Sequence, residues 1–213
     1  MSDSGLLNPI QRSFYNRETT VVARELLGKY LVRTVAEEVL VGEIVEVEAY
    51  KGLSDPASHA YKGEKGRARI MFGETGHAYV YFTYGNHYCV NVVAKSPRAK
   101  AGAVLIRSLK PVLGLALMSL NRMGKPASEL AKGPGNLTKA MAIDASLNGC
   151  DMTSVGPLYI AEGPVQRSLE IRSSERVGIS RAKRRRWRYF IAGNTYVSHL
   201  RKKDSGSAVE PEK

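Results

Sequence analysis

Two carboxylates two residues apart, in "VGEIVEVEAY" (residues 41–50), are the first groups in this sequence that could do chemistry. A strand repeats every two residues, so Glu46, Glu48 and Tyr50 share one face and Val45, Val47 and Ala49 the other. Glu43 falls on the valine side near the strand's start, at an expected exposed end. An ionised glutamate facing a cleft can orient and deprotonate water, and its charge can stabilise a cationic transition state. Arg107, polar at the end of an otherwise apolar strand, is the best sequence candidate to hold such a carboxylate in place. The plainer alternatives are an edge strand with its polar face in water and an arginine reaching solvent. Glutamate is a poor strand former, and like charges on one face repel unless basic partners stand nearby.

Flat rings gather around a second stretch, "AYVYFTYGNHYCVNVV" (residues 78–93). Tyr79, Tyr81 and Thr83 share one strand face, Val80 and Phe82 the other, and Gly85 and Asn86 suit a turn that needs relaxed dihedral angles. Tyr84 then stands beside the hairpin tip, a poor place for a core residue and a good one for a wedge between bases. A tyrosine lying back along its own hairpin is the alternative. Asn91, on the second strand, can offer its amide to a base edge or satisfy neighbouring backbone. In the segment between these strands, His59 and Tyr61 could join Tyr50 in lining a pocket, although a lone loop histidine is more often simply solvated.

Metal chemistry is poorly served: there is no HExxH, and the spacings of the four histidines match no usual zinc set. A magnesium nuclease built from Glu46, Glu48 and Asp55 stays open as a rival. The 32 lysines and arginines outnumber the 20 acids, giving a net charge of +12. Such a surplus favours a polyanionic partner, most commonly nucleic acid. It is concentrated in "SRAKRRRWR" (residues 180–188) and "KGEKGRAR" (residues 62–69). These runs nominate Arg67, Arg69, Arg181, Lys183, Arg184 and Arg185 for phosphate contact, with Trp187 packing inward. The turn "KGPGN" could add backbone N–H groups at a helix start, with Lys139 following. Each run taken singly could equally be a solvated face.

The elements needed to position these groups are those of one domain. We expect a flexible end over 1–11, a folded unit over 12–200 and a disordered polar tail over 201–213. Thr19 or Thr20 should cap a helix running to about Leu27, with Gly28 as its stop. Strands are expected over 30–35, 39–50, 78–83, 88–94 and about 103–108, with Glu37 and Glu38 in a turn. Residues 51–69 read as a long loop with one short helical turn. Pro111 should open a helix to about Met123, "KGPGNLTKAMAI" should turn into a short helix, and "PLYIAEG" should form a late strand. With no βαβ rhythm, the fold class is α+β (mixed α/β). Cys89 and Cys150 read as buried thiols. No apolar run reaches membrane-span length and no secretory leader is evident, so a cytoplasmic location is expected.

Taken in order, "GEIVEVEAYKG", "ASHAY", "GHAYVYFTYGNHYCVNVV", "VLIRSLKP", "GPGNLTKAMAI" and "RVGI" resemble the alkyladenine (3-methyladenine) DNA glycosylase family, a type found in mammals and in bacteria. The resemblance covers about residues 12 to 198. It implies a compact domain around a curved antiparallel sheet, similar to the C-terminal domain of methionyl-tRNA formyltransferase. It also implies a monomer without metal or cofactor that acts on damaged double-stranded DNA.

On this resemblance Glu48 is the general base for water and Arg107 helps hold that water. Tyr50, His59 and Tyr81 line the slot for a flipped base, Asn91 crowds out the exocyclic amine of guanine, and Tyr84 is the wedge. Substrates would be alkylated or deaminated purines such as 3-methyladenine, hypoxanthine and ethenoadenine. Asn86 and His87 depart from the larger apolar or aromatic residues of the mammalian relative, which bears on contact with the opposite strand. A nucleic-acid-binding module without chemistry is the competing expectation.

Overall fold

The computed structural model describes residues 7–164 and 169–198. Its frame is an antiparallel sheet of eight strands. They are β1 (Tyr30–Val35), β2 (Glu38–Tyr50), β3 (Ala78–Thr83), β4 (His87–Val93), β5 (Ala103–Leu113), β6 (Leu158–Ala161), β7 (Ile171–Ser174) and β8 (Arg188–Ile191). The order β3-β4-β5-β2-β1-β6 runs across the sheet, and β8 pairs with both β2 and β7. Five α-helices accompany it among the described residues: α1 (Arg12–Tyr15), α2 (Thr19–Glu25), α3 (Leu115–Asn121), α4 (Ala127–Leu130) and α5 (Pro134–Ala140). This is the α+β class that the pattern of elements implies.

The length of β2 decides the architecture. One edge follows β5 from Val41 to Tyr50. The other pairs first with β1, up to Glu43, and then with β8 at Glu46 to Glu48. Both edges and both faces are therefore covered, and residues 40–49 are all buried. The glutamates do not sit on an edge strand with a polar face in water. The pairing with β5 is irregular between Ile44 and Val47, and such bulges bend a strand and re-aim its side chains.

The sheet separates an apolar side from a polar one. Val45, Val47 and Ala49 join Val22 of α2, Leu26 just after that helix and Leu137 of α5 in the main core. Each fully buried Val or Leu there contributes roughly 1.5–3 kcal/mol. Val80 belongs to that core, whereas Tyr79 packs into a second cluster with Ala60, Ala68 and Met71 from the segment after β2. The expected division of the hairpin's two faces is thus the one observed.

Several expectations are corrected. Pro111 lies inside β5 opposite Gly42 instead of opening a helix, tolerated at a register shift where the ladder is already interrupted. The helix begins at Leu115, after Gly114 in the left-handed region. Thr19 does not cap α2: it is the first helical residue, and its hydroxyl donates to the Ala94 carbonyl. Glu38 starts β2, leaving Ala36 and Glu37 as the turn. Glu43 is buried, with Lys110 at 3.5 Å, because β1 and β5 flank it. Residues 51–77 hold three short 3-10 helices, Gly52–Ser54, His59–Lys62 and Gly66–Phe72. Upstream of residue 12, Pro9 bridges to Ala161 and Ile10 is buried. The polar tail over 201–213 lies outside the described residues, and among those described no helix is long and apolar enough to cross a membrane.

Gly52 is where the chain leaves the sheet. Its φ is +58°, and a Cβ there would lie 2.2 Å from the Ala101 carbonyl oxygen. Gly52→Ala should therefore destabilise the fold by about 1–3 kcal/mol, read as a lower urea midpoint with an unchanged slope.

Candidate active site

Glu48 is held from three directions. The Tyr50 hydroxyl donates to its Oε2 at 2.8 Å, the Val177 backbone N–H donates to Oε1 at 2.7 Å, and the Arg107 Nη1 lies 3.2 Å from Oε1. A carboxylate offers about four acceptor positions, so these partners leave one on Oε2. Strand alternation places Tyr50 two residues along the same face, and Arg107 arrives from β5 beside it.

Arg107 is shared between both glutamates. Its Nε donates to Glu46 Oε1 at 2.7 Å, and its Nη2 reaches Ser198 Oγ at 3.5 Å. Burial works against its charge, but Glu48 and then Glu46 outweigh that and push its pKa up. For Glu46, burial pushes the carboxyl up, yet Arg107 and Arg188 overcome it and hold the pKa at about 2. Burial and the Glu48 charge raise the Tyr50 phenol well above its ordinary value, so it remains a proton donor to Glu48.

A second buried ion pair fixes the surrounding loops. Arg176 donates to both oxygens of Asp55, at 2.5 and 2.8 Å, and to the Ala49 carbonyl at 2.9 Å. Its guanidinium lies 4.6 Å from the Tyr50 ring centroid and 5.2 Å from that of Trp187. One side chain thereby joins the end of β2, the segment bearing His59, and the loop whose next residue, Val177, binds Glu48. The rival metal grouping is not assembled: Asp55 is committed to Arg176 and Glu46 to two arginines. No group of three or more potential metal-ligating side chains occurs among the described residues.

In front of Glu48 lies a cavity of about 540 Å³, lined by Tyr50, His59, Tyr81, Asn91, Arg107 and Val177 among others. That volume is in the range of small-molecule sites. The rings of His59 and Tyr81 meet edge-on at 4.8 Å and 77°, and His59 Nδ1 lies 2.7 Å from the Tyr79 hydroxyl. Burial, then the Arg67 charge, pushes His59 below its ordinary pKa, favouring a neutral ring. Asn91 donates to the Tyr79 carbonyl at 2.8 Å, which fixes its amide at the cavity wall. Tyr61, at the mouth, also lines the cavity. Glu48 itself has no exposed surface; its partners Tyr50, Arg107 and Val177 form the wall in front of it.

Tyr84 stands on the cavity's rim, 78% exposed. The turn centres on Tyr84 and Gly85, at φ of 51° and 71°, one residue earlier than the sequence suggests. Positive φ is unusual for a bulky residue and marks a locally costly conformation. A second hollow beyond Tyr84 is lined by Asn86, His87, Lys132 and Lys139. Of the nominated cations, Arg181 lines the main cavity and Arg67 lies 5.6 Å from the Tyr81 ring centroid. Arg69, Lys183 and Arg184 are exposed outside both hollows. Arg185 folds back, 4.5 Å from the Trp187 ring centroid and donating to the Ser54 carbonyl. Trp187 does pack inward.

Residues 13–195 match the model of the family described as methylpurine-DNA glycosylase (MPG). The chain belongs to that family. A relative from Carboxydothermus hydrogenoformans, named "Putative 3-methyladenine DNA glycosylase", is 47% identical over 189 residues, covering 89% of this chain and 98% of its own. Relatives of the same name from Methanoculleus marisnigri and Desulfitobacterium hafniense are 46% and 43% identical. They cover 87% and 88% of this chain, and 96% and 97% of their own lengths. Family membership makes the chain an N-glycosyl hydrolase by class.

Sequence reasoning missed Arg176, Arg188, Ser108 and Ser198. Arg188 closes a run of exposed bases and so reads as surface, yet it opens β8 and is 1% exposed. The available signal was the apolar "YFI" that follows it, which implies a buried strand.

Asp55→Asn tests the loop clamp. It removes the charge that balances buried Arg176, and stripping one partner from a buried pair costs about 3–5 kcal/mol. Chemical denaturation should show that loss, with faster amide exchange in residues 52–62 and 175–181.

Proposed function

We propose that this protein is a monofunctional DNA repair glycosylase. It draws an alkylated or deaminated purine out of duplex DNA and hydrolyses its N-glycosidic bond with water activated by Glu48. The observation that carries this reading is the position of Glu48: an oriented carboxylate one side chain behind a ring-lined cavity, with Tyr84 on the rim. The name of the relatives points to 3-methyladenine as one substrate; hypoxanthine and ethenoadenine are further damaged purines, deaminated and alkylated respectively.

Extruding a base costs a few kcal/mol, least where damage has already weakened pairing or stacking. Tyr84 fills the gap left in the duplex, and exposed arginines such as Arg67 and Arg181 hold phosphates, which act on a single double-stranded partner bound by one protein molecule. In the cavity the purine stacks among Tyr50, His59 and Tyr81, while Asn91 opposes an exocyclic amine at the guanine position. Alkylation at N3 or N7 makes the purine a cationic leaving group, so the protein need supply only a shaped slot, a water and a negative charge beside the developing oxocarbenium ion. Hypoxanthine needs an added proton at N7.

The water takes the remaining acceptor position on Glu48 Oε2, gives up its proton there and attacks C1′ from the face opposite the leaving base. Because Glu48 has no exposed surface in the free protein, the Tyr50 hydroxyl or the Val177 loop shifts as the nucleotide enters. Catalytic contacts commonly tighten only in the complex.

Glu48→Gln should lower base release from a single-lesion duplex by at least about 100-fold while leaving DNA affinity largely intact. The assay is run in EDTA on 3-methyladenine, hypoxanthine and ethenoadenine duplexes. Metal-dependent strand cutting with no abasic intermediate would sink the proposal; lesion-blind binding without release would leave only a binding module.

Tyr84→Ala is separately informative. Affinity for lesion duplex should fall about tenfold or more, the scale of one lost stacking contact, with a smaller change for undamaged duplex. Equal losses would mean that another residue is the wedge.

A further inference from the structure

Glu46 has a role that neither burial nor family membership explains. Its Oε1 accepts from Arg107 Nε at 2.7 Å, Arg188 Nε at 2.8 Å and Ser198 Oγ at 3.0 Å. Its Oε2 accepts from the Ser198 N–H at 2.7 Å and Ser108 Oγ at 2.8 Å. Five donors exceed the usual capacity of a carboxylate, so Glu46 has no position left for water, and it has no exposed surface. It cannot be a second base.

The cross-strand register shows what it does instead. In the pairing of β2 with β8, the residue opposite Arg188 is Glu48, and Phe190 stands opposite Glu46. Directly opposed residues are the nearest cross-strand neighbours, so an unguided Arg188 has Glu48 as its closest carboxylate. Its Nε is found on Glu46, with Nη1 on Ser174 Oγ at 2.8 Å and Nη2 on the Ser198 carbonyl. Glu46 thus diverts one arginine away from Glu48. It also grips the other: Arg107 gives Nε to Glu46 and presents only Nη1 to Glu48.

We propose that Glu46 is a positioning residue for the reaction, which keeps Arg188 off Glu48 and limits Arg107 to a single contact with it. Glu48 thereby retains a position for water. The proposal rests on the reading of Glu48 as the water-activating base. Without the Glu46 charge, two buried guanidinium groups are left with one carboxylate between them, and Arg188 turns to Glu48 and fills the position the water needs.

The test is single-turnover base release by the full chain, on whichever of the 3-methyladenine or hypoxanthine duplexes the wild type cleaves faster. Rates are taken per competent active site, alongside duplex affinity and melting temperature. Glu46→Gln should slow release about 100-fold, the scale of a small misplacement of reacting groups, with affinity changed less than about threefold. Adding Arg188→Gln removes the competing arginine and should recover at least about tenfold of that rate.

A packing role alone predicts a lower melting temperature with the rate per competent site unchanged. If Glu46→Gln does not fold, Glu46→Asp keeps the charge and withdraws the carboxylate, and should slow release with affinity preserved. Wild-type rates in the Glu46 variants, parallel loss of rate and affinity, or no recovery from Arg188→Gln would overturn the proposal. Release that survives Glu48→Gln overturns the underlying reading and this role with it; release lost in Glu48→Gln but kept in Glu46→Gln overturns the positioning role alone.

Discussion

The site depends on balancing charge in a place where water cannot. Glu46, Glu48 and Asp55 are buried together with Arg107, Arg176 and Arg188. A lone charge at such depth is strongly disfavoured, and an ion pair repays its desolvation only when its geometry and remaining hydrogen bonds are nearly complete. Here they are: Arg107 bridges two carboxylates, Asp55 takes a bidentate guanidinium, and Glu46 is saturated. Three negative and three positive groups cancel. The surplus of basic side chains is therefore a property of the surface, where it can meet phosphate, while the interior around Glu48 stays neutral overall.

Such a network is an uncertain source of stability, because well-packed apolar residues can often replace buried ions without loss. What apolar residues cannot do is aim a carboxylate. Each bond to Glu48 originates in a different part of the chain: Tyr50 at the end of β2, Arg107 in β5 and Val177 in the loop before β8. Arg176 ties two of these parts to the segment carrying His59. The orientation of the carboxylate and the shape of the cavity are consequently not independent, and a shift of the His59 segment reaches Glu48 through Asp55 and Arg176.

How much of this the sequence disclosed follows from the range of the interactions involved. Alternation within β2 and β3 is local, and it correctly sorted Glu46, Glu48 and Tyr50 from the valines and Tyr79 from Val80. Tyr50, His59, Tyr81, Asn91 and Arg107, named from residue type, local pattern and resemblance, meet at one cavity. The errors lie where tertiary pairing overrides local preference. Pro111 looks like a helix opener in isolation, but β2 is long enough to go on pairing with β5 beyond it, across a register shift. Thr19 has the chemistry of a cap and spends its hydroxyl on Ala94, 75 residues away. Arg176 and Arg188 were invisible for the same reason, since their partners Asp55 and Glu46 lie more than a hundred residues upstream.

The hairpin carrying Tyr84 shows the opposite economy. Nearly everything near Glu48 is fixed by several partners, whereas Tyr84 projects into solvent on a turn held in the left-handed region. A bulky residue there carries a local conformational cost; the ring lies near His87, with centroids 5.8 Å apart, and its hydroxyl lies near Gly178. A ring kept upright at that cost, beside a cavity deep enough for a base, makes sense when the compensating contact comes from a partner. On the proposed function, a duplex with a gap in its stack supplies that contact. In the proposed reaction, the rigid support beneath the carboxylate fixes where the bond is cleaved, and the exposed ring above it meets the substrate at the rim.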